Sequence, residues 1–197
     1  MKTAVKELKE VGAHYLLKCQ ETLEGMRGIS VLKTDVWNEI RPDIPGNAPI
    51  VGNVEGVKSW TVVEVMSDRT KKMKEMYPKV NVVNHDLIRA EFPRESFDAI
   101  LSPGTLSYMP FSKAVYILDR FMGWLKNGGR VYVALWVGPA EDRSGNYHNP
   151  NEGHVFNMDK CEDALSERFK VSERIVIYET IKDMNPAYLI GYKCSLA

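Results

Sequence analysis

The 197-residue chain has no excess of either charge. Lys plus Arg total 26 and Asp plus Glu also total 26, so no basic field is present to attract a phosphate backbone. Nucleic acid is therefore not an expected partner. Cysteine is also scarce. Cys19, Cys161 and Cys194 are an odd number at unrelated spacings, which indicates reduced thiols rather than a disulfide framework and shows no metal-ligand spacing.

A long apolar run at the N-terminus is missing as well. Residues 2 to 10 are rich in lysine and glutamate where a signal peptide would have an apolar core, so we expect neither a signal peptide nor a membrane span. Together with the reduced cysteines, this favours a cytoplasmic protein. The length fits one domain over 1–197, with an N-terminal helical cover over 1–28 and an α/β core over 29–197.

The most ordered pattern lies in residues 97 to 135. Phe97 to Leu101 is a short apolar run that breaks at Ser102-Pro103-Gly104, which is typical of a buried strand that ends in a turn. Helical spacing follows from Ser112, a candidate N-cap, until Asn127-Gly128-Gly129, after which a second strand-like run begins. Short connections of this kind make a right-handed parallel unit. We therefore predict an open α/β sheet with ligands at the carboxyl ends of its strands.

The flanking elements follow from the same kinds of pattern. An amphipathic helix is predicted over 3–24, either as a cover for the sheet or as a flap over the substrate. Residues 42–56 hold three prolines and three glycines, which exclude a long helix and leave a lid or a surface loop. Two C-terminal β-rich runs with a short connection must pair antiparallel. Strands are predicted at 29–32, 60–66, 80–83, 171–181 and 188–194, and a helix at 67–77.

The order of these motifs resembles that of class I S-adenosylmethionine-dependent methyltransferases. FDAI opening the fourth strand, LKNGG at the end of the helix and the strand RVYVAL match the family's pattern, and EFPRESFD is similar to its LPF..ESFD approach. The resemblance covers roughly residues 29 to 136 by motif and the C-terminal hairpin by topology only. It implies a Rossmann-like methyltransferase fold, in which a central mostly parallel sheet ends in an antiparallel hairpin and has helices on both faces.

The first motif departs from the family pattern. The usual glycine-rich turn, where a bare backbone lets the amino-acid portion of the cofactor approach, is missing after the first strand. VLKTDVWNE instead resembles an LKTDL(F/W)(D/N)E variant seen in a subset of these enzymes. That resemblance implies that Lys33, Thr34 and Asp35 face the methionine portion, with Lys33 towards its carboxylate and Asp35 towards its ammonium. Alternatively, Lys33 and Asp35 are ordinary surface charges at a strand end.

Two acids and a loop complete the implied cofactor site. Glu64, at the end of the second strand, is placed to accept hydrogen bonds from both ribose hydroxyls, or is simply solvated. Asp86, followed by Leu87, resembles the acid that bonds the adenine amino group, or caps a turn. The resemblance also implies that Ser102, Pro103 and Gly104 pass beneath the sulfonium through their backbone groups.

Candidate catalytic residues lie in the long polar loop from 136 to 154. Tyr147, His148 and His154 are predicted to position an acceptor or to take its proton, because an imidazole near neutrality is a suitable general base. Glu152 belongs to the same group. The alternative is a solvated loop. A metal site would require a third ligand, and none is apparent, so no metal is expected.

The predicted function is methyl transfer from S-adenosylmethionine to a small-molecule acceptor, with S-adenosylhomocysteine as product. The loop SPGT differs from the (N/D)PP(Y/F) motif of amino-directed nucleic-acid methyltransferases, which argues against a base as acceptor. The alternative is a non-catalytic methyltransferase-like binding or scaffolding protein, supported by the missing glycine turn. A nicotinamide oxidoreductase would need a G.G..G fingerprint. The acceptor and the oligomeric state stay open.

Overall fold

The structure is a computed structural model that describes residue 3 and residues 7–139, 143–144, 153–182 and 185–196. Tyr147, His148 and Glu152 lie outside the described residues. Two short 3-10 turns occur, at Leu8–Glu10 and Thr105–Tyr108. The other elements are α1 (Val11–Thr22), β1 (Ile29–Thr34), α2 (Trp37–Ile40), β2 (Val57–Glu64), α3 (Ser67–Met76), β3 (Asn81–Asn84), β4 (Phe97–Pro103), α4 (Phe111–Trp124), β5 (Leu125–Gly138), β6 (Arg143–Ser144), β7 (His154–Asn157), α5 (Met158–Ser166), β8 (Lys170–Lys182) and β9 (Asn185–Ser195).

The strands form one mostly parallel sheet. Its parallel part has the order β3-β2-β1-β4-β5. β9 pairs antiparallel with β5 on the far side, and β8 pairs antiparallel with β9 at the edge. The predicted fold class, a mostly parallel sheet ending in an antiparallel hairpin, is confirmed.

Two apolar clusters cover the two faces of the sheet. Neighbouring residues of one strand belong to different clusters, because side chains in a strand point alternately to opposite faces. Leu32 and Ile100 pack with Phe121 of α4, whereas Val31 packs with Met73 of α3 and with residues of α1. Helices therefore lie on both faces, as predicted.

Several predicted boundaries are wrong. The N-terminal helix spans Val11–Thr22 rather than 3–24. Ser112 is not a cap, because α4 begins at Phe111 and Pro110 precedes it. Asn127-Gly128-Gly129 does not end the helix either. Leu125 already has an extended backbone, and the pairing of β4 with β5 jumps from Phe97–Leu125 to Ala99–Arg130, so the intervening residues bulge out of the new strand.

The Pro/Gly-rich segment 42–56, all of which is described, contains turns and no helix or strand. This part of the prediction is confirmed. Only the single turn α2 stands between β1 and this loop. Ile50 and Val51 are nevertheless fully buried, which fixes the middle of the loop against the sheet.

Candidate cofactor and active site

The candidate site lies where the parallel strands end. β1 lies between β2 and β4, with Thr34 paired to Val63 and Lys33 paired to Leu101. The residues that follow these strands therefore share one edge of the sheet. They include Asp35, Glu64 and Gly104, three of the predicted cofactor-binding residues.

Lys33 is a fully enclosed charged residue at this edge, with 0% of its surface exposed. Its ammonium lies 3.0 Å from Glu39 Oε2 and 3.3 Å from Asp35 Oδ1, and it donates to the Asp35 carbonyl at 2.9 Å. Burial lowers the pKa of Lys33, but the two carboxylates raise it more, so its pKa stands above the usual value. Lys33 is a buried cation, and the alternative that it is a solvated surface charge is wrong.

Glu39, on α2, is equally buried and was not singled out by the sequence. Its Oε1 accepts hydrogen bonds from the backbone amides of Ile50, at 3.0 Å, and Val51, at 3.3 Å. Its Oε2 faces Lys33. Glu39 thus joins the Pro/Gly-rich loop to β1. The only sequence signal was the E that closes VLKTDVWNE, and its partners depend on a loop that the pattern does not place.

Asp35 forms the turn that a glycine usually makes in this family. Its φ of 63° lies in the left-handed region, which aspartate tolerates better than most residues. Oδ1 accepts a hydrogen bond from the Trp37 amide at 3.0 Å, and Oδ2 accepts one from Thr105 Oγ1 at 2.8 Å. Side-chain contacts therefore hold the backbone conformation that bare glycines would otherwise supply.

A chain of hydroxyls connects this turn to β4. Thr34 Oγ1 lies 2.6 Å from Thr105 Oγ1 and 3.0 Å from Ser102 Oγ. Thr34 and Ser102 are fully buried, so these contacts satisfy hydroxyl groups that have no access to water. Thr105 thereby couples the predicted first motif to the loop after β4.

Glu64 lies at the end of β2 with 4% of its surface exposed. Its Oε1 accepts a hydrogen bond from the Met66 amide at 2.9 Å. Burial raises the pKa of Glu64, the charge of Asp35 raises it further, and the Met66 hydrogen bond opposes both. The alternative of a solvated acid is wrong. Binding of ribose stays a prediction.

Asp86 caps a turn, as its alternative interpretation expected. Its Oδ1 accepts a hydrogen bond from the Ile88 amide at 3.0 Å, and its carbonyl accepts from the amides of Arg89 and Ala90, both at 2.9 Å. Leu87 is buried in the core. Turn capping occupies the Oδ1 atom and does not decide whether Asp86 also bonds adenine. That contact stays a prediction.

Gly104 turns the chain at the end of β4 with φ 94°. Its amide lies 3.0 Å from the Ser102 carbonyl and 3.1 Å from the Ala134 carbonyl. A Cβ on this residue would lie 3.2 Å from Tyr15 Oη. Tyr15 is 8% exposed, and burial raises the pKa of its phenol, with further rises from Asp35 and Tyr108. Helix α1 therefore reaches the site, and Tyr15 is a site residue that sequence analysis placed only on a buried helix face.

Four alternating charges fasten α1 to the C-terminal hairpin. Lys18 contacts Glu21 at 2.7 Å and Glu173 at 2.9 Å, and Lys193 contacts Glu21 at 2.7 Å and Glu173 at 2.5 Å. We call these residues the charge ring. It adds to the apolar packing of Val11, Tyr15 and Cys19, which places α1 beside the sheet.

His154, at the start of β7, is the described member of the predicted catalytic set. Its ring stacks on Phe156, with centroids 6.1 Å apart and planes at 15°. β7 continues alongside the end of β5, where Phe156 pairs with Val137. His154 is thus close to the sheet edge that carries the site, and its catalytic role stays a prediction. Tyr147 and His148 lie outside the described residues.

Comparison with known families agrees with this geometry. Residues 50–133 match the model of a methyltransferase domain family. This match covers less than half of the chain, and it agrees with the resemblance of the sequence to class I S-adenosylmethionine-dependent methyltransferases. It also supports S-adenosylmethionine as the cofactor. The sequence finds no match among curated proteins. Whether its first motif belongs to the LKTD-type variant stays a prediction.

Solved methyltransferase structures share the fold at low sequence identity. The 1,6-didemethyltoxoflavin-N1-methyltransferase of Burkholderia thailandensis superposes with a TM-score of 0.66 and 13% identity, over 96% of this chain and 80% of its own. NodS, an N-methyltransferase of Bradyrhizobium japonicum, superposes with a TM-score of 0.65 and 14% identity, over 93% of this chain and 84% of its own. A methyltransferase of Methanosarcina mazei superposes with a TM-score of 0.63 and 13% identity, over 87% of this chain and 93% of its own.

The donor set at the strand ends fits the cofactor. Asp35 and Glu64 bring carboxylates to the strand ends, which suits the predicted contacts with an ammonium and with ribose hydroxyls, and the missing Cβ of Gly104 leaves room beneath Tyr15. Sequence analysis placed both carboxylates correctly at strand ends.

Within the described part of the chain, no helix is long and apolar enough to cross a membrane.

Proposed function

We propose that this protein is a methyltransferase that transfers the methyl group of S-adenosylmethionine to a small-molecule acceptor. The observation that carries the proposal is the convergence of Asp35, Glu64 and Gly104 at the ends of three adjacent strands. Two carboxylates and a glycine turn are what an amino-acid portion, a ribose and a sulfonium require from a binding edge.

Each of these residues has a distinct role in the proposal. Asp35 holds the ammonium of the cofactor, Glu64 accepts hydrogen bonds from the ribose hydroxyls, and the backbone at Gly104 passes beneath the sulfonium. Asp86 and Leu87 border the adenine. The cofactor supplies an electrophilic methyl group, and the protein supplies proximity and orientation for its attack by the acceptor.

Tyr15 and Tyr108 border the proposed acceptor side of the site, and His154 begins the nearby strand β7. The balanced charge and the SPGT loop favour a small molecule over nucleic acid. Two of the neighbours support that class, since one carries bound 1,6-didemethyltoxoflavin and both are described as N-methyltransferases. His154, His148 and Tyr147 are the proposed proton acceptors. The raised pKa of Tyr15 suits hydrogen bonding rather than proton removal.

Calorimetric titration with S-adenosylmethionine and S-adenosylhomocysteine tests the cofactor step, with NAD as the control. We expect micromolar binding of the first two and none of NAD. A screen of nitrogen heterocycles and amines with a labelled methyl donor then identifies the acceptor. Folded protein that binds neither adenosyl compound would overturn the proposal and favour a non-catalytic binding protein.

A further inference from the structure

We infer that Lys33 and Glu39 are positioning residues, and that Asp35 alone meets the amino-acid portion of the cofactor. This inference rests on the proposed function, since it concerns how the same site holds the same ligand. It differs from the sequence-based expectation that Lys33 binds the methionine carboxylate directly.

The first step concerns the donors of Lys33. An ammonium has three N–H groups. Lys33 Nζ donates hydrogen bonds to the Asp35 carbonyl at 2.9 Å, to Asp35 Oδ1 at 3.3 Å and to the Thr34 carbonyl at 3.5 Å, and it lies 3.0 Å from Glu39 Oε2 in an ion pair. The side chain has no exposed surface. A cofactor carboxylate would have to displace one of these partners and reach into the interior.

The second step concerns Glu39, which cannot follow Lys33 outward. Its Oε1 accepts hydrogen bonds from the amides of Ile50 and Val51, both fully buried. If Lys33 turned towards the cofactor, Glu39 would be left as a buried carboxylate without its cation, which is strongly unfavourable. The pair is therefore fixed in its present direction.

The third step concerns Asp35, the most accessible charge of the three. Its side chain is 23% exposed, whereas those of Lys33 and Glu39 are 0% exposed. A carboxylate has about four acceptor positions. Lys33, Trp37 and Thr105 use three of them, so Asp35 keeps capacity for an ammonium. The contact with Lys33 thus orients the side chain of Asp35, and the contact with Glu39 orients the side chain of Lys33.

Three probes separate positioning from direct contact. They are S-adenosylhomocysteine, its decarboxylated analogue, which keeps the amine, and its deaminated analogue, which keeps the carboxylate. Calorimetry measures their dissociation constants with the wild type, Lys33→Met, Glu39→Gln and the double variant. Lys126→Met is the matched control, because Lys126 pairs with Asp98 at 2.9 Å near the opposite end of β4.

If Lys33 and Glu39 are positioning residues, each single variant weakens binding of S-adenosylhomocysteine and of the decarboxylated analogue by about tenfold, the effect of one charged hydrogen bond. The deaminated analogue is weakened much less. The double variant resembles either single variant, and in an Asp35→Asn background the effect of Glu39→Gln disappears. General destabilisation would not produce this dependence on the amine.

Other outcomes overturn the inference. If Lys33→Met weakens S-adenosylhomocysteine and the deaminated analogue but spares the decarboxylated one, Lys33 contacts the carboxylate directly. Unchanged affinities in folded variants would also contradict it. The double variant removes both charges, so it provides a folded test if a single variant unfolds. Absence of wild-type binding to all probes would instead count against the proposed function.

Discussion

The hydroxyl of Tyr15, on the N-terminal helix, lies over Gly104 at the end of β4, so closely that a Cβ on residue 104 would lie 3.2 Å from Tyr15 Oη. These residues are distant in the chain but meet at the edge that carries Asp35 and Glu64. Helix α1 is therefore part of the candidate site as well as a cover for the sheet.

Gly104→Ala should weaken cofactor binding by about tenfold and cost about 1 kcal/mol of stability, because alanine is disfavoured at φ 94° and its Cβ intrudes beneath Tyr15. Titration with S-adenosylhomocysteine and chemical denaturation measure the two effects. Gly123→Ala is the control, since a Cβ there meets no atom within 4 Å. Equal affinities for both variants would remove Gly104 from the site.

Glu64→Gln should weaken binding of S-adenosylhomocysteine by roughly 1–3 kcal/mol, the range for a hydrogen-bonding partner that carries a charge. Burial raises the pKa of Glu64 above its usual value of 4.5. The affinity of the wild type for S-adenosylhomocysteine should therefore rise as the pH increases through that raised pKa and the carboxyl ionises. The variant should lack that rise. Calorimetry across this pH range tests both effects, and unchanged affinity in folded Glu64→Gln would contradict the assignment.

Glu64 also affects the stability of the free protein. A carboxyl whose pKa is higher in the folded state binds protons more tightly there, so it lowers stability as pH rises above its unfolded value. Glu64→Gln should therefore be at least as stable as the wild type at neutral pH. Thermal unfolding measures this, and a large loss of stability would show that the ionised carboxylate has a structural role.

The charge ring should lose its contribution to stability in acid. Burial raises the pKa values of Glu21 and Glu173, but hydrogen bonds from Lys18 and Lys193 lower them more, so both values fall below 4.5. The stabilisation is present above that pH and disappears as pH falls through the folded-state values. Because the ring is partly exposed, Glu173→Gln should cost only about 0.5–1 kcal/mol at neutral pH.

Denaturation of Glu173→Gln and wild type at neutral and acidic pH tests the ring. The difference between them should shrink in acid. Asp43→Asn provides the control, since Asp43 pairs with Arg41 on the exposed surface and should contribute little. If Glu173→Gln behaves like this control at every pH, the ring does not fasten α1.

The Lys33–Glu39 pair predicts a difference between single and double variants. Lys33→Met should cost about 3–5 kcal/mol, because it leaves Glu39 charged and buried without a partner. Lys33→Met combined with Glu39→Gln should cost clearly less. Urea denaturation measures both. A double variant less stable than the single one would show that the lysine mainly contributes packing.

His154→Ala should lower turnover by about a hundredfold or more if His154 is the general base, while leaving the affinity for S-adenosylhomocysteine unchanged. The measurement requires the acceptor found by the methyl-transfer screen. His148→Ala serves as the parallel variant. Normal turnover in both would leave proton removal to Tyr147, to solvent or to the acceptor itself.

Local patterns were enough to predict much of this fold. Buried strands followed by turns, and a helix between two of them, dictate a parallel sheet, and a short connection between the last two strands dictates an antiparallel pair. The end of α4 differed from the prediction, because the sheet recruits Leu125 and the residues after it into a bulged strand. Pairing between strands decides such ends, and periodicity within one segment does not report it.

The sequence by itself determined the parallel strands and placed Asp35, Glu64 and Gly104 near their carboxyl ends, and so at one edge, because parallel strands align those ends. Only the tertiary structure decided what those residues contact. Lys33 turns inward because Glu39 is held by loop amides, and Tyr15 reaches Gly104 because α1 packs on the sheet through Tyr15 and Cys19. Contacts of this kind join distant segments, whose approach depends on the packing of the whole core.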